Sequence, residues 1–170
     1  MSGRQWFAVR CKPRGEFRAA QQFEQQGFGV YLPTELKLIR HARNMEKAAR
    51  PFFPGYLFLH LASSERRWTA IRSTPGAVGA VRFGTNYPPV PDTFIDMLRA
   101  REDEAGFVDA SDESVSPFKK GERIRVRDGA FSGVQGIFLG CSGEQRAMVL
   151  LEMLQRSVRT AVPLVSLSPA

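Results

Sequence analysis

The sequence predicts an α+β sandwich over residues 1–101, joined by an acidic linker at 102–116 to a small β-barrel at 117–170. Three observations carry this. Tyr56-Leu57-Phe58-Leu59-His60-Leu61, opened by Pro54-Gly55, is nearly all apolar and short, as expected of a central strand buried on both faces. Around it, strand and helix patterns follow in the order β-α-β-β-α-β-α. After residue 117 the chain changes to short apolar pieces separated by Gly129, Gly133, Gly136, Gly140 and Gly143, which is the spacing of a small barrel.

Residues 5–10 read as the first strand. Lys12-Pro13 leads into a helix over about 14–26, with Phe17, Ala20, Phe23 and Gly27 recurring at three- or four-residue steps as its apolar face. Gly27 suits the left-handed residue that ends a helix. The opposite face holds Arg18, Gln22, Gln25 and Gln26. Such an amide-rich face is either simply solvated or able to hydrogen-bond bases. A second strand starts at Gly29, with Pro33 marking an edge or bend. Residues 34–39 alternate weakly. Arg40, Arg43, Lys47 and Arg50 then fall in a hairpin tip or loop, either solvated or riding along a phosphate backbone.

Beyond the central strand, Ser63-Ser64-Glu65 reads as a helix start, with Trp68 and Ile71 facing inward. Thr74-Pro75-Gly76 is a turn, 77–83 a strand, and Pro91-Asp92-Thr93 opens a helix with Phe94, Met97 and Leu98 on one side. Near the C-terminus, Ile124 and Val126 alternate with three arginines over 122–127. Residues 146–156 conflict with the barrel: they are rich in helix formers, with Val149 the one β-branched residue. The barrel either overrides that preference or is nearly balanced by a second, helical fold.

Composition narrows the function. Hydrophobic content of 43% supports packed cores, and the net charge of +7 favours a polyanion or an acidic protein surface as partner. Residues 102–118 hold six acids and no Lys or Arg, so the remainder is six charges more basic than that total. No leader or long apolar run is seen, which predicts a cytoplasmic protein with no membrane role. Cys11 and Cys141 have no CxxC partner, so neither a metal site nor a disulfide is expected. His41 and His60, the only histidines, have no nucleophile or carboxylate at an informative spacing. No enzyme activity and no cofactor are expected.

Phe53-Pro54-Gly55-Tyr56, Trp6-Phe7-Ala8-Val9 and Thr74-Pro75-Gly76 resemble the N-terminal domain of the NusG family of transcription elongation factors. The run from Val126 to Gly136 resembles that family's KOW motif. Val81-Arg82-Phe83-Gly84, Val90-Pro91, the 128–131 turn and 148–151 are most similar to its specialised antitermination branch, the RfaH type. The resemblance implies binding to RNA polymerase, at the β′ clamp helices and across the cleft to β, with suppression of pausing and termination. It also implies recruitment of a small-subunit ribosomal protein by the KOW domain, or of Rho in general NusG proteins. A monomer is expected. The third reading, a ribosome-associated KOW RNA-binding protein, leaves the first hundred residues without a role.

Carried over residue by residue, the polymerase-facing patch would include Tyr56, Phe58 and Phe83, and Thr69 would touch the far side of the cleft. Reading of the exposed non-template DNA strand would fall to Gln22, Gln25, Gln26 and Thr74, with Arg18, Arg40, Arg43 and Lys47 on phosphates. Gln26 and Thr74 match the branch; Gln22 and Gln25 replace a histidine and an arginine. Leu154 matches the contact to the ribosomal partner. The branch can also fold its C-terminal domain as a helical hairpin over the polymerase site, with Arg146 paired to an acid at position 50. Position 50 is an arginine in this chain, which favours the barrel.

Overall fold

The computed structural model describes residues 3–109, 123–126, 135–137 and 167–169, together with Gly143, Arg146, Ala147, Leu150, Leu151 and Leu154. The elements of the first part are β1 (Gln5–Cys11), α1 (Glu16–Gln25), β2 (Gly29–Tyr31), β3 (Thr34–His41), β4 (Asn44–Pro51), β5 (Tyr56–Leu61), α2 (Trp68–Arg72), β6 (Ala77–Ala80), β7 (Pro89–Val90) and α3 (Asp92–Ala100). Strands β2-β5-β1-β6 form one antiparallel sheet, and β7 pairs with β1 beside β6.

β5 is the buried central strand that its composition predicts. Its side chains alternate between faces, as the two-residue period requires. Leu57, Leu59 and Leu61 join Phe7, Val9, Ala19, Phe23 and Ile71 in the core beneath α1 and α2. Tyr56 and Phe58 point the other way, into a cluster with Trp6, Phe52, Phe53, Phe94, Ile95 and Leu98. Sheet and helices thus make a sandwich with the apolar run at its centre.

Several local expectations are corrected. The buried stripe of α1 is Glu16, Ala19 and Phe23, while Phe17 stays 48% exposed. The stripe is displaced because the Glu16 carboxylate reaches under the sheet and accepts the Gly55 backbone N–H at 3.0 Å, a donor in the turn ahead of β5. Gly76, at φ +87°, packs so close to that helix that a Cβ would sit 2.7 Å from the Gly15 carbonyl oxygen, which is why the turn needs glycine. The basic stretch expected as a tip or loop is instead mostly ladder. β3 and β4 pair from Thr34↔Pro51 to His41↔Asn44, which leaves only Ala42 and Arg43 to turn. The strand expected over 77–83 stops at Ala80. The helix expected after Ser63 is a short 3₁₀ turn, Ser63–Glu65, followed by α2.

The sandwich does not end at residue 101. Glu102 accepts the Tyr31 hydroxyl at 2.9 Å, the Asp103 carboxylate accepts the Ala105 and Phe107 N–H groups, and Val108 is buried after its N–H bonds the Thr34 carbonyl. The acidic segment therefore packs on the sheet through its first eight residues; residues 110–116 lie outside the described ones. Farther on, β8 (Arg123–Val126), β9 (Gln135–Ile137) and β10 (Leu167–Pro169) pair antiparallel in the order β10-β8-β9, as expected for the pieces at 122–127 and 134–139. The 128–134 turn lies outside the described residues. Gly143, Arg146, Ala147, Leu150, Leu151 and Leu154 are helical, so the barrel preference fails there and the local helix propensity prevails.

Candidate functional site

The helical residues explain that outcome. Ala147, Leu150 and Leu154, at three- and four-residue steps, are buried in the same cluster as Phe52, Phe53, Tyr56 and Phe58. That spacing puts them on one helix face. The aromatic floor is closely interlocked: Phe53 meets Phe58 edge-on at 5.9 Å, and Phe58 meets Phe94 at 6.0 Å. At the rim, Arg146 donates its Nε–H to the Phe52 carbonyl at 2.9 Å and holds its guanidinium 3.9 Å from the Phe52 ring centre. Its terminal nitrogen pairs with the Glu35 carboxylate. Both side chains are largely buried, 11% and 12% exposed, so this is not a loose surface pair.

Glu35 lies directly opposite Arg50 on the β3–β4 ladder. The acid that the resemblance places at position 50 is thus supplied by the adjacent strand, and the two arginines do not face each other as a lock. Gly143 approaches so near that a Cβ would lie 2.8 Å from the Pro54 ring. Of the expected polymerase contacts, Phe58 is wholly buried core, Tyr56 is buried at the covered face, and Phe83 is half-buried against the same cluster. Thr69 is exposed on α2. Leu154, expected to meet a ribosomal partner, is inside the cluster.

The expected DNA contacts form two groups. On α1, Arg18, Gln25 and Gln26 are exposed and Gln22 half-buried. Gln26 donates to the Thr74 hydroxyl at 3.0 Å, and that hydroxyl donates to the Ala70 carbonyl. Thr74 itself is buried and positions Gln26 rather than offering its own hydroxyl. Arg40, Arg43 and Lys47 are all exposed on the β3–β4 arm. The register puts Leu36, Leu38 and Arg40 on one face of the arm with Met45 and Lys47 across from them. Leu36, Leu38 and Met45 are 46%, 58% and 62% exposed. An arm with cations between bare apolar side chains is suited to contact rather than to packing.

Sequence reasoning missed Phe52, Phe53, Glu35, Ala147 and Leu150. The signal for the first two was their place beside Pro54-Gly55. For Glu35 it was the presence of an acid at the base of a basic arm. Neither signal becomes specific without the fold.

Cys11 is buried below α1, and burial, followed by the nearby Glu16 charge, pushes its thiol up to about 12. Iodoacetamide at pH 8 is therefore expected to leave Cys11 unmodified until the chain is unfolded, which peptide mass mapping can check. Among the described residues, no group of three His, Cys, Asp or Glu side chains could hold a metal ion. No helix among them is long and apolar enough to cross a membrane.

Comparison with known proteins identifies the family. The family model described as "Transcription termination factor nusG" matches residues 4–99, which span the whole sandwich up to α3. The chain is 27% identical over 144 residues to the transcription termination/antitermination protein NusG of Yersinia pestis, covering 79% of this chain and 78% of that protein. It is 28% identical over 143 residues to the NusG of Vibrio cholerae, covering 78% and 77%. A solved structure titled "Domain interaction in Thermotoga maritima NusG" aligns over 80% of this chain and 79% of that one, at 19% identity and a TM-score of 0.42, too loosely to bear weight. Because the matched model takes in more than half of the residues and all of the five-stranded sheet, the chain belongs to the NusG family of transcription termination/antitermination factors, which are not enzymes.

Proposed function

We propose that this chain is an elongation and antitermination factor of the RfaH type. It docks on RNA polymerase, at the β′ clamp helices, through the face made by Phe52, Phe53, Tyr56 and Phe83, while Thr69 reaches toward β. The observation that carries this reading is the cover. An aromatic face is closed by Ala147, Leu150 and Leu154 and fastened by Arg146 to Glu35. A buried face of that size with a polar latch is what a masked interface needs. The cover then has to leave before polymerase binds. It also has to leave before Leu154 can meet a small-subunit ribosomal protein, because Leu154 cannot serve both surfaces at once. Strand pairing β10-β8-β9, together with helical Gly143, Arg146, Ala147, Leu150, Leu151 and Leu154, supports a change confined to the middle of the KOW segment.

The α1 amides and the β3–β4 arm would hold the non-template strand, with Gln25 and Gln26 on bases and Arg18, Arg40, Arg43 and Lys47 on phosphates. In a reconstituted elongation assay, the protein is expected to shorten pauses on a template carrying its recognition element. Arg40→Ala with Lys47→Ala should weaken retention on the complex and lower its salt dependence, by about one unit of log–log slope per lost phosphate contact. Absence of any effect on pausing, with core polymerase present in excess, sinks the proposal.

A second reading is a general NusG protein that also engages Rho. The names carried by the curated relatives favour it. Co-purification of Rho with the full chain, and activity at all promoters alike, would select it.

A further inference from the structure

A separate concavity of about 350 Å³ opens where Trp6, His60, Gly29 and Val30 of the sheet meet Asp92, Asp96 and Arg99 of α3. Of its lining, Trp6 alone belongs to the cluster that holds Ala147, Leu150 and Leu154. Its floor is aromatic: the His60 imidazole stacks on the Trp6 indole at 4.4 Å with an 11° tilt. The guanidinium of Arg99 lies 5.2 Å from the Trp6 ring centre and 5.0 Å from that of Tyr31, so this floor already holds one planar cation. Gly29 lies opposite His60 on the neighbouring strand. A Cβ at Gly29 would sit 3.3 Å from the His60 Cβ. The strand conformation does not call for glycine there; the missing side chain lets the strand lie close against the base of His60.

The wall is acidic. Asp92 and Asp96 are one helical turn apart on the same side of α3. Both are exposed, and neither is in an ion pair among the described residues. Asp92 has a plain structural reason, since an acid in the first turn complements the helix dipole. Asp96 has none, and Arg99, three residues on, turns to the rings instead of to it. In a chain of net charge +7, two carboxylates against the single guanidinium of Arg99 leave this concavity one charge negative. They repel phosphate and attract a cation.

We propose that this pocket takes an arginine side chain from a protein partner. A guanidinium lies flat on His60 and directs its N–H groups to Asp92 and Asp96. Nucleic acid is left to the basic arm and α1. The probe is Nα-acetyl-arginine amide, titrated into the full-length protein and followed by the Gly29 amide and Trp6 indole N–H resonances. Saturable shifts are expected at both, with the lysine analogue several-fold weaker because it lacks the plane. Asp96→Asn should weaken binding roughly fivefold, the scale of an exposed charge contact. Gly29→Ala should weaken it without changing any charge. The spectrum away from the pocket reports whether each variant is folded. No saturable shift, an unchanged affinity in both folded variants, or tighter binding of guanosine monophosphate than of the arginine derivative overturns the proposal.

Discussion

Glu35→Ala is expected to raise the affinity of the full-length protein for RNA polymerase, because it removes the acid that fastens the helical cover. The Arg146–Glu35 pair is largely shielded from water, and deleting one partner of such a pair costs about 3–5 kcal/mol, chiefly by stranding the other charge. That cost falls on the closed arrangement alone, since in an open one Arg146 is solvated. If the closed state dominates, a loss of about 3 kcal/mol raises the open fraction, and with it the apparent affinity, by up to about 100-fold. The reversed pair, Glu35→Arg with Arg146→Glu, should restore part of the latch. It cannot restore all of it, because Arg146 also donates to the Phe52 carbonyl and lies against the Phe52 ring. Binding of a β′ clamp-helix fragment, measured by calorimetry for the three proteins, gives the order. Equal affinity for wild type and Glu35→Ala would mean that the cover does not limit access.

Phe58→Ala is expected to unfold a large fraction of the protein rather than to impair polymerase binding selectively. Phe58 is fully buried between Phe53, Phe94 and Tyr31. Removing a ring from such a site costs about 3–5 kcal/mol in transfer and cavity terms. For a domain of this size each kcal/mol corresponds to about 4–8 °C in melting temperature. Tyr56→Ala, at the edge of the same cluster, should lose less stability and more polymerase affinity. Thermal denaturation and clamp-helix binding of the two variants separate core from contact. A Phe58→Ala protein with an unchanged Tm would show that the ring is not part of the sandwich core.

The aromatic residues in Tyr56–Leu61 show how far pattern goes. A buried central strand was legible because both of its faces are apolar. Which of its aromatics serve as contacts was not, because a run that is apolar on both faces carries no sign of which face a partner covers. The same limit applies to α1. Its periodicity was visible, but the buried stripe is set one residue away by the Glu16 carboxylate reaching the Gly55 N–H, a bond spanning 39 residues of chain. Residues 40–50 of the β3–β4 arm read as a hairpin tip or loop because exposed strands lack the apolar alternation by which strands are recognised.

The sequence by itself determined the sandwich, its central strand, the family to which it belongs and the basic character of its surface. These follow from local patterns and short motifs, which need no knowledge of what lies across the sheet. Only the tertiary structure decided that Ala147, Leu150 and Leu154 close the aromatic face, and that Glu35 rather than position 50 receives Arg146. Local propensity favoured a helix over 146–156 without saying what that helix would cover. The arrangement is held by burial of Ala147, Leu150 and Leu154 in the aromatic cluster, and by an ion pair whose partners are 111 residues apart.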